Sequence, residues 1–334
     1  MIHGLIERTA DLVLQKPRTV HISPTYRCTL KCMQCDLWRL PNDGELSSSR
    51  WIGVIKAFKE YLGPFALKIS GGEPFLVPGM MELVERAKAM DLYVGISTNG
   101  TLLNDETARR IVRAGVDEVH VSIDSMNPKI HDHMRGAPLA FKRAMQAIER
   151  LASLNGETKI CLATVITSLN LEGLMDLVIW AANNPGLYTI TLQALFQNFG
   201  APYDPAWWKR SELWPRDRDL VTSVFDRLMD YKSSHWELAN PMNQLAAMKD
   251  YFLHPDRTPT AVCHAGKTDI AVDPFGGLRL CFSLPPIGNL LRSSPGRLLH
   301  SKEAAKRRKQ IASCKRSCNL LNCNYEDVRR DSSP

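Results

Sequence analysis

The chain lacks the roughly 18 uninterrupted apolar residues that a membrane-spanning helix needs, so no span is expected. Its N-terminus also lacks the apolar core and cleavage site of a secretory signal. There Leu5, Ile6, Leu12, Val13 and Leu14 interleave with Glu7, Arg8 and Asp11, which predicts a short amphipathic helix over residues 1–17. Neither internal repeats nor low-complexity tracts occur. Charge of neither sign dominates. Against 42 Lys and Arg stand 35 Asp and Glu, and the net +7 is spread along the chain, so nucleic acid is not implied as a partner. The densest basic run, Lys306-Arg307-Arg308-Lys309, reads as a solvated helix face, with a dock for an acidic peptide or anionic substrate as the sharper alternative. His120, His131, His133 and His264 have no metal-ligand spacing of their own.

Cysteine, by contrast, is concentrated. Three of the nine cysteines fall within eight residues, Cys28-Thr29-Leu30-Lys31-Cys32-Met33-Gln34-Cys35, after a β-like run from Thr19 to Ser23. Iron–sulfur clusters are normally held by four Cys. Three thiolates on one loop can hold three irons of a four-iron cluster and leave the fourth open to a ligand, as an open coordination position does in catalytic metal sites. Zinc is the competing reading, although a zinc site usually brings a fourth Cys or a His close by. Three structural cysteines without a metal are the remaining alternative. Nine cysteines without a secretory signal point to the reducing cytoplasm, where clustered thiols mean metal or catalysis.

Residues 18–200 alternate strand-like and helix-like runs. Strands are expected at Thr19–Ser23, Phe65–Ile69, Leu92–Ile96, Glu118–Ile123, Lys159–Ile166 and Tyr188–Leu195. Helices are expected at Ser48–Tyr61, Met80–Ala89, Asn104–Gly115, Leu139–Leu151 and Leu171–Ala182. Such alternation implies parallel strands joined by right-handed crossovers. Six repeats fall short of the eight in a full (β/α)8 barrel. Residues 201–258 form a Trp- and Pro-punctuated connection with helices near Arg218–Lys232 and Pro241–Phe252; its tryptophans either line a cavity or pack in the core. Residues 259–334 read as a small separate unit. It has a hairpin from Thr268 to Cys281, a helix around Ser301–Ile311, and Cys263, Cys281, Cys314, Cys318 and Cys323.

The cysteine loop resembles the signature of radical S-adenosylmethionine (radical SAM) enzymes. Later landmarks follow in that family's order: Gly71-Gly72-Glu73-Pro74, Ser97-Thr98-Asn99-Gly100 and Ser122-Ile123-Asp124, with Arg135-Gly136 on the loop beyond. The resemblance spans about residues 18–200 and implies a partial (β/α)6 TIM-like barrel. It implies Cys28, Cys32 and Cys35 as ligands of a 4Fe-4S cluster whose open iron binds S-adenosylmethionine. Reductive cleavage of that cofactor would then give a 5′-deoxyadenosyl radical that takes hydrogen from substrate. Gly71 and Gly72 would admit backbone close to the cofactor, and Glu73 would add an acceptor or hold the loop's shape. Ser122 and Arg135 are candidates for the cofactor's carboxylate, and Ser97, Asn99 and Asp124 for its ribose hydroxyls or the bonds behind them. At the position before the third Cys, where the family often has an aromatic, this chain has Gln34. Cys161, inside the fifth strand, reads as a small core residue, or as a hydrogen-atom donor if it faces the barrel interior.

Cys263, then Gly276 five residues before Cys281, resembles the opening of the SPASM and twitch subdomains, which hold auxiliary iron–sulfur clusters. Five cysteines suit one auxiliary 4Fe-4S cluster, with Cys263, Cys281, Cys314 and Cys318 preferred and Cys323 as a replacement for Cys318; zinc is the alternative there. Relatives with such subdomains modify peptides and proteins or oxidise small alcohols. Peptide modification is therefore the first expectation and oxidation of a small metabolite, such as an amino sugar, the second. A non-catalytic iron–sulfur or zinc protein is the reading from another class. No B12-binding domain is visible. The implied partners are the substrate and an electron donor such as flavodoxin or ferredoxin.

Overall fold

The computed structural model describes residues 16–154, 156–198, 201–257, 263, 265–316, 318 and 322. The helix expected over residues 1–17 lies almost wholly outside them, and Cys323 lies outside them too. Six strands run in the expected order: β1 (Thr19–Ile22), β2 (Ala66–Ile69), β3 (Tyr93–Thr98), β4 (Glu118–Ser122), β5 (Lys159–Ile166) and β6 (Thr189–Ala194). Each pairs in parallel with the next. Between them lie α1 (Ser48–Leu62), α2 (Met80–Lys88), α3 (Asp105–Arg113), α4 (Pro128–Arg135), α5 (Ala140–Ala152) and α6 (Leu174–Ala182).

Local chemistry sets these boundaries. In α1 the Ser47 side chain accepts from Arg50 N, Trp51, Val54, Ile55 and Phe58 recur on the buried face, and Gly63 ends the helix at φ 82°. Asn104 caps α3 by accepting from Thr107 N. Within the sheet, Val20, Ile22, Leu67, Ile69, Val119 and Val121 are fully buried in the core that the helices cover. The alternate residues His21, Lys68, Glu118, His120 and Ser122 are half-buried on the opposite, concave face.

Two features depart from expectation. Arg135 is the last residue of α4 rather than part of a loop. Asn127 caps that helix, Pro128 opens it and Gly136, at φ 64°, closes it. The hairpin from residue 268 onward also enters the barrel sheet: β7 (Asp269–Val272) lies parallel to β1, with Thr19 opposite Asp269. β8 (Gly277–Arg279) turns back antiparallel on β7, and β9 (Gly288–Asn289) follows. The sheet order is β6-β5-β4-β3-β2-β1-β7-β8-β9, so the barrel is open, with β6 at one edge.

That edge is covered. Leu192 N donates to Asn240 Oδ1 at 2.7 Å and Asn240 Nδ2 donates to Leu192 O at 2.9 Å. Further along, Ala194 N donates to Asn322 Oδ1 and Asn322 Nδ2 donates to Ala194 O, at 2.8 and 3.1 Å. In the connection, α7 (Arg218–Lys232) and α8 (Met242–Leu253) pack on the barrel. Trp214 is buried, with ring contacts to Tyr251 and Phe252 at 5.2 and 5.1 Å, whereas Trp236 is exposed against Tyr188. Among the described residues no helix is long and apolar enough to cross a membrane.

Candidate metal centres

The cysteine loop leaves the C-terminal end of β1, the end at which barrel sites are built. Its three thiols are free and partly buried. Burial pushes all three up, and the charges of neighbouring thiols push in the same direction: Cys32 acts on Cys28, and both act on Cys35, which reaches about 11. Three close thiols that resist ionising together become thiolates when a cation shares them. Donors already face the sulfurs. Leu30 N points at Cys28 Sγ at 3.5 Å and Asn99 Nδ2 at 3.6 Å, while the Arg135 guanidinium lowers the Cys32 thiol against its burial. This donor set fits an iron–sulfur cluster with one iron left free of protein ligands.

The glycines serve the loop's backbone. A Cβ on Gly72 would stand 2.0 Å from Arg27 O, and one on Gly71, at φ +105°, 2.9 Å from Thr25 O. Gly72 N donates to Thr25 O and Glu73 N to Arg27 O, at 2.8 and 2.9 Å, so this turn is zipped to the residues entering the cysteine loop. Glu73 is 0% exposed and accepts from Thr98 Oγ1 (2.8 Å), Asn99 N (2.9 Å) and Phe75 N (3.3 Å). It thereby ties the turn after β2 to the end of β3; of its two expected roles, these bonds are those of the one that holds shape. Burial raises its carboxyl to about 7 despite those three donors. Pro74 is buried at the start of the short helical turn that follows.

Asn99 also reaches the loop, donating to Thr29 Oγ1 at 3.1 Å. Asp124 is 0% exposed and its two oxygens are already engaged. Oδ1 accepts from Val165 N at 3.0 Å; Oδ2 accepts from Gln34 Nε2 at 3.3 Å and ion-pairs with Arg135 Nε at 2.7 Å. Arg135 is 8% exposed and bridges Asp124 and Cys32, so this arginine acts first on the loop itself. Ser97 and Ser122 stand on the concave face of β3 and β4, the first exposed and the second half-buried. The structure therefore gathers Cys28, Cys32, Cys35, Glu73, Asn99, Asp124 and Arg135 into one network, with the two serines beside it.

Sequence reasoning missed three supports. Glu45 accepts from Thr25 Oγ1 and from Tyr26 N, both at 2.7 Å, and so fixes the approach to Cys28. His131 Nδ1 accepts from Asp124 N at 3.1 Å, and burial lowers this imidazole to about 4. Asn198 Nδ2 donates to Asp36 Oδ2 at 3.0 Å and joins the end of β6 to the loop. The partners of Glu45 and Asn198 are distant in sequence, and His131, seven residues from Asp124, fits no ligand or capping spacing.

The second group of cysteines also converges. Cys263, Cys281, Cys314 and Cys318 line one small cavity, closed by the apolar side chains of Leu284 and Ile311. Burial raises the Cys281 thiol, with the charges of Cys263 and Cys314 adding to the rise. Four thiols at one cavity are a donor set for a tetrahedral thiolate centre or a four-iron cluster. Cys161 is 2% exposed and stands opposite His120 on the concave face. Its Sγ, a His120 nitrogen and a Glu118 oxygen lie within 4.8 Å of one another. The Glu118 carboxylate is already taken up by Lys68, by Tyr93 Oη at 2.8 Å and by His120 Nε2 at 3.0 Å.

An open parallel α/β barrel with three thiols on the loop after its first strand presents the donor set of a metal cluster at the end where barrel sites are built. Residues 22–181, from the end of β1 into α6, match the family model of the radical SAM superfamily. The chain is 34% identical over 155 residues to an AdoMet-dependent heme synthase of Oleidesulfovibrio alaskensis, covering 46% of this chain and 39% of that protein. It is 29% identical over 263 residues to the mycofactocin maturase MftC of Mycobacterium ulcerans, covering 77% of this chain and 66% of that protein. The chain thus spans between about two fifths and two thirds of the length of these curated relatives. Among solved structures, Streptococcus suis SuiB bound to its precursor peptide SuiA shares the fold, with a TM-score of 0.68 at 15% identity over 96% of this chain and 74% of that one.

Proposed function

We propose that this chain is a radical SAM enzyme that modifies a peptide or protein. The observation that carries this reading is the pairing of two thiol sites in one sheet: three cysteines after β1, and four around a cavity beside the β7–β8 hairpin. Likeness to MftC extends beyond the matched domain to 77% of the chain, and SuiB, whose fold this chain shares, was solved with a peptide. When bound, S-adenosylmethionine at a reduced 4Fe-4S cluster supplies reductive cleavage and hydrogen-atom abstraction.

The protein's own residues then have definite tasks. Cys28, Cys32 and Cys35 hold the cluster, and Arg135 and Asn99 donate toward its sulfur ligands. Glu73 and Asp124 keep the strand-end loops rigid around it. Gly71, Gly72, Pro74, Ser97 and Ser122 line the approach for the cofactor. Cys263, Cys281, Cys314 and Cys318 hold an auxiliary 4Fe-4S cluster. Residues 1–17, 18–200, 201–258 and 259–334 remain the proposed division, with β7 of the last segment shared with the barrel sheet. An electron donor such as flavodoxin or ferredoxin reduces the protein, and clustered cysteines that serve metal centres suit a reducing compartment such as the cytoplasm.

The test is anaerobic incubation of the reconstituted, reduced protein with S-adenosylmethionine and a deuterated peptide substrate. Expected are 5′-deoxyadenosine carrying deuterium from the peptide and loss of both signals in Cys32→Ala. Cleavage of S-adenosylmethionine with no deuterium transfer from any peptide, but with transfer from a small alcohol, would overturn the substrate class.

A further inference from the structure

The C-terminal cavity is lined by four cysteines and one cation, and the cation has a fixed place. Of the described residues that line the cavity, Arg316 alone carries positive charge; Arg279, behind Leu284, is ion-paired with Asp273. Its guanidinium carbon sits 3.9 Å from the centroid of the Tyr203 ring, a stacking geometry that holds the planar group on the cavity wall. Tyr203 belongs to the stretch that follows β6, so the platform and the cysteines come from separate segments, and the stack exists only when the C-terminal segment is seated. Arg316 lines the same small cavity as Cys263, Cys281, Cys314 and Cys318, so its charge stands beside the sulfurs.

We infer that Arg316 is the residue that sets the reduction potential of the auxiliary centre, raising it. This rests on the proposal that Cys263, Cys281, Cys314 and Cys318 hold an iron–sulfur cluster. Reduction adds one negative charge to a centre already surrounded by thiolates. A guanidinium at the wall of a small, largely apolar cavity attracts that extra charge, and the weak screening there makes the attraction larger than in water. Net charge and burial are among the levers by which proteins set cluster potentials. An arginine stays charged at every accessible pH, so the bias is constant rather than switched. A centre raised in this way takes up an electron more readily than the same centre without the arginine.

The experiment is an EPR-monitored redox titration of the full-length, anaerobically reconstituted protein, comparing wild type with Arg316→Gln, Arg316→Met and Arg316→Lys. Expected are two midpoints in wild type. The auxiliary one moves to more negative potential in both neutral variants, stays near the wild-type value in Arg316→Lys, and shows the same displacement at pH 6.5 and pH 8.5. The midpoint of the cluster on Cys28, Cys32 and Cys35 stays in place throughout. An auxiliary midpoint that is unmoved or shifted positive in the neutral variants overturns the inference and leaves the auxiliary cluster standing. A wild-type protein that holds only one cluster overturns the reading beneath it, and the inference with it.

Discussion

Glu73 shows how a single residue holds the site. Its buried carboxylate accepts three hydrogen bonds that join the Gly71-Gly72 turn to the end of β3, at the cost of a carboxyl raised to about 7. An unfolded chain gives up this proton near 4.5, whereas the folded one keeps it to about 7, so this residue makes stability fall as pH rises across that window. His131 has the opposite effect. Lowered from 6.5 to about 4, it makes stability fall as pH drops across its own window. In wild type the two slopes oppose each other where they overlap. Replacing Glu73 with Gln leaves the slope of His131 alone, so the melting temperature should climb more steeply between pH 4.5 and 6.5 than in wild type; identical slopes would remove Glu73 from the account. At Gly72 the constraint is steric. An alanine Cβ there would stand 2.0 Å from Arg27 O, inside the segment that enters the cysteine loop. Gly72→Ala is expected to cost about 1–3 kcal/mol in urea unfolding, as overpacking does, and to lower iron content per chain after reconstitution.

Among the elements, edge strand β6 is the most exposed to failure, because an open barrel leaves one of its sides without a strand partner. Asn240 answers with both halves of its amide on Leu192. Asn240→Ala leaves one buried N–H and one buried C=O unpaired, at about 1–3 kcal/mol each. A loss of that size should appear in chemical denaturation, with hydrogen exchange rising first along β6; unchanged protection of Leu192 would contradict this. The same element shows what sequence reading can reach. The alternation in β1, β2 and β4, the Ser47 and Asn104 caps and the glycine stops are local signals, and they placed the barrel's strands and helices within a few residues. α4 was missed although Asn127, Pro128 and Gly136 frame it, because its eight residues bury little apolar surface beyond Met134. The amide partners of Asp124 and β6 were out of reach, since contacts between distant segments leave no period in the sequence.

For the whole molecule, the main revision concerns how the C-terminal segment joins the barrel. A hairpin signal reveals two strands but not the neighbour of the first. Here β7 lies beside β1, and the second group of cysteines is thereby tied to the strand that launches the first. The three-cysteine loop was legible because its thiols are adjacent in sequence. The second set was legible only through resemblance, since its members span residues 263 to 318. The central claim is that one molecule carries two separate iron–sulfur centres. Its most direct test is iron and sulfide content with Mössbauer spectra after anaerobic reconstitution. Wild type is compared with a variant in which Cys28, Cys32 and Cys35 are all replaced by Ala. The expected result is about one four-iron cluster retained in the variant and about two in wild type. A variant with no cluster beside a wild type with one would contradict the claim and leave the C-terminal thiols as a zinc or structural site.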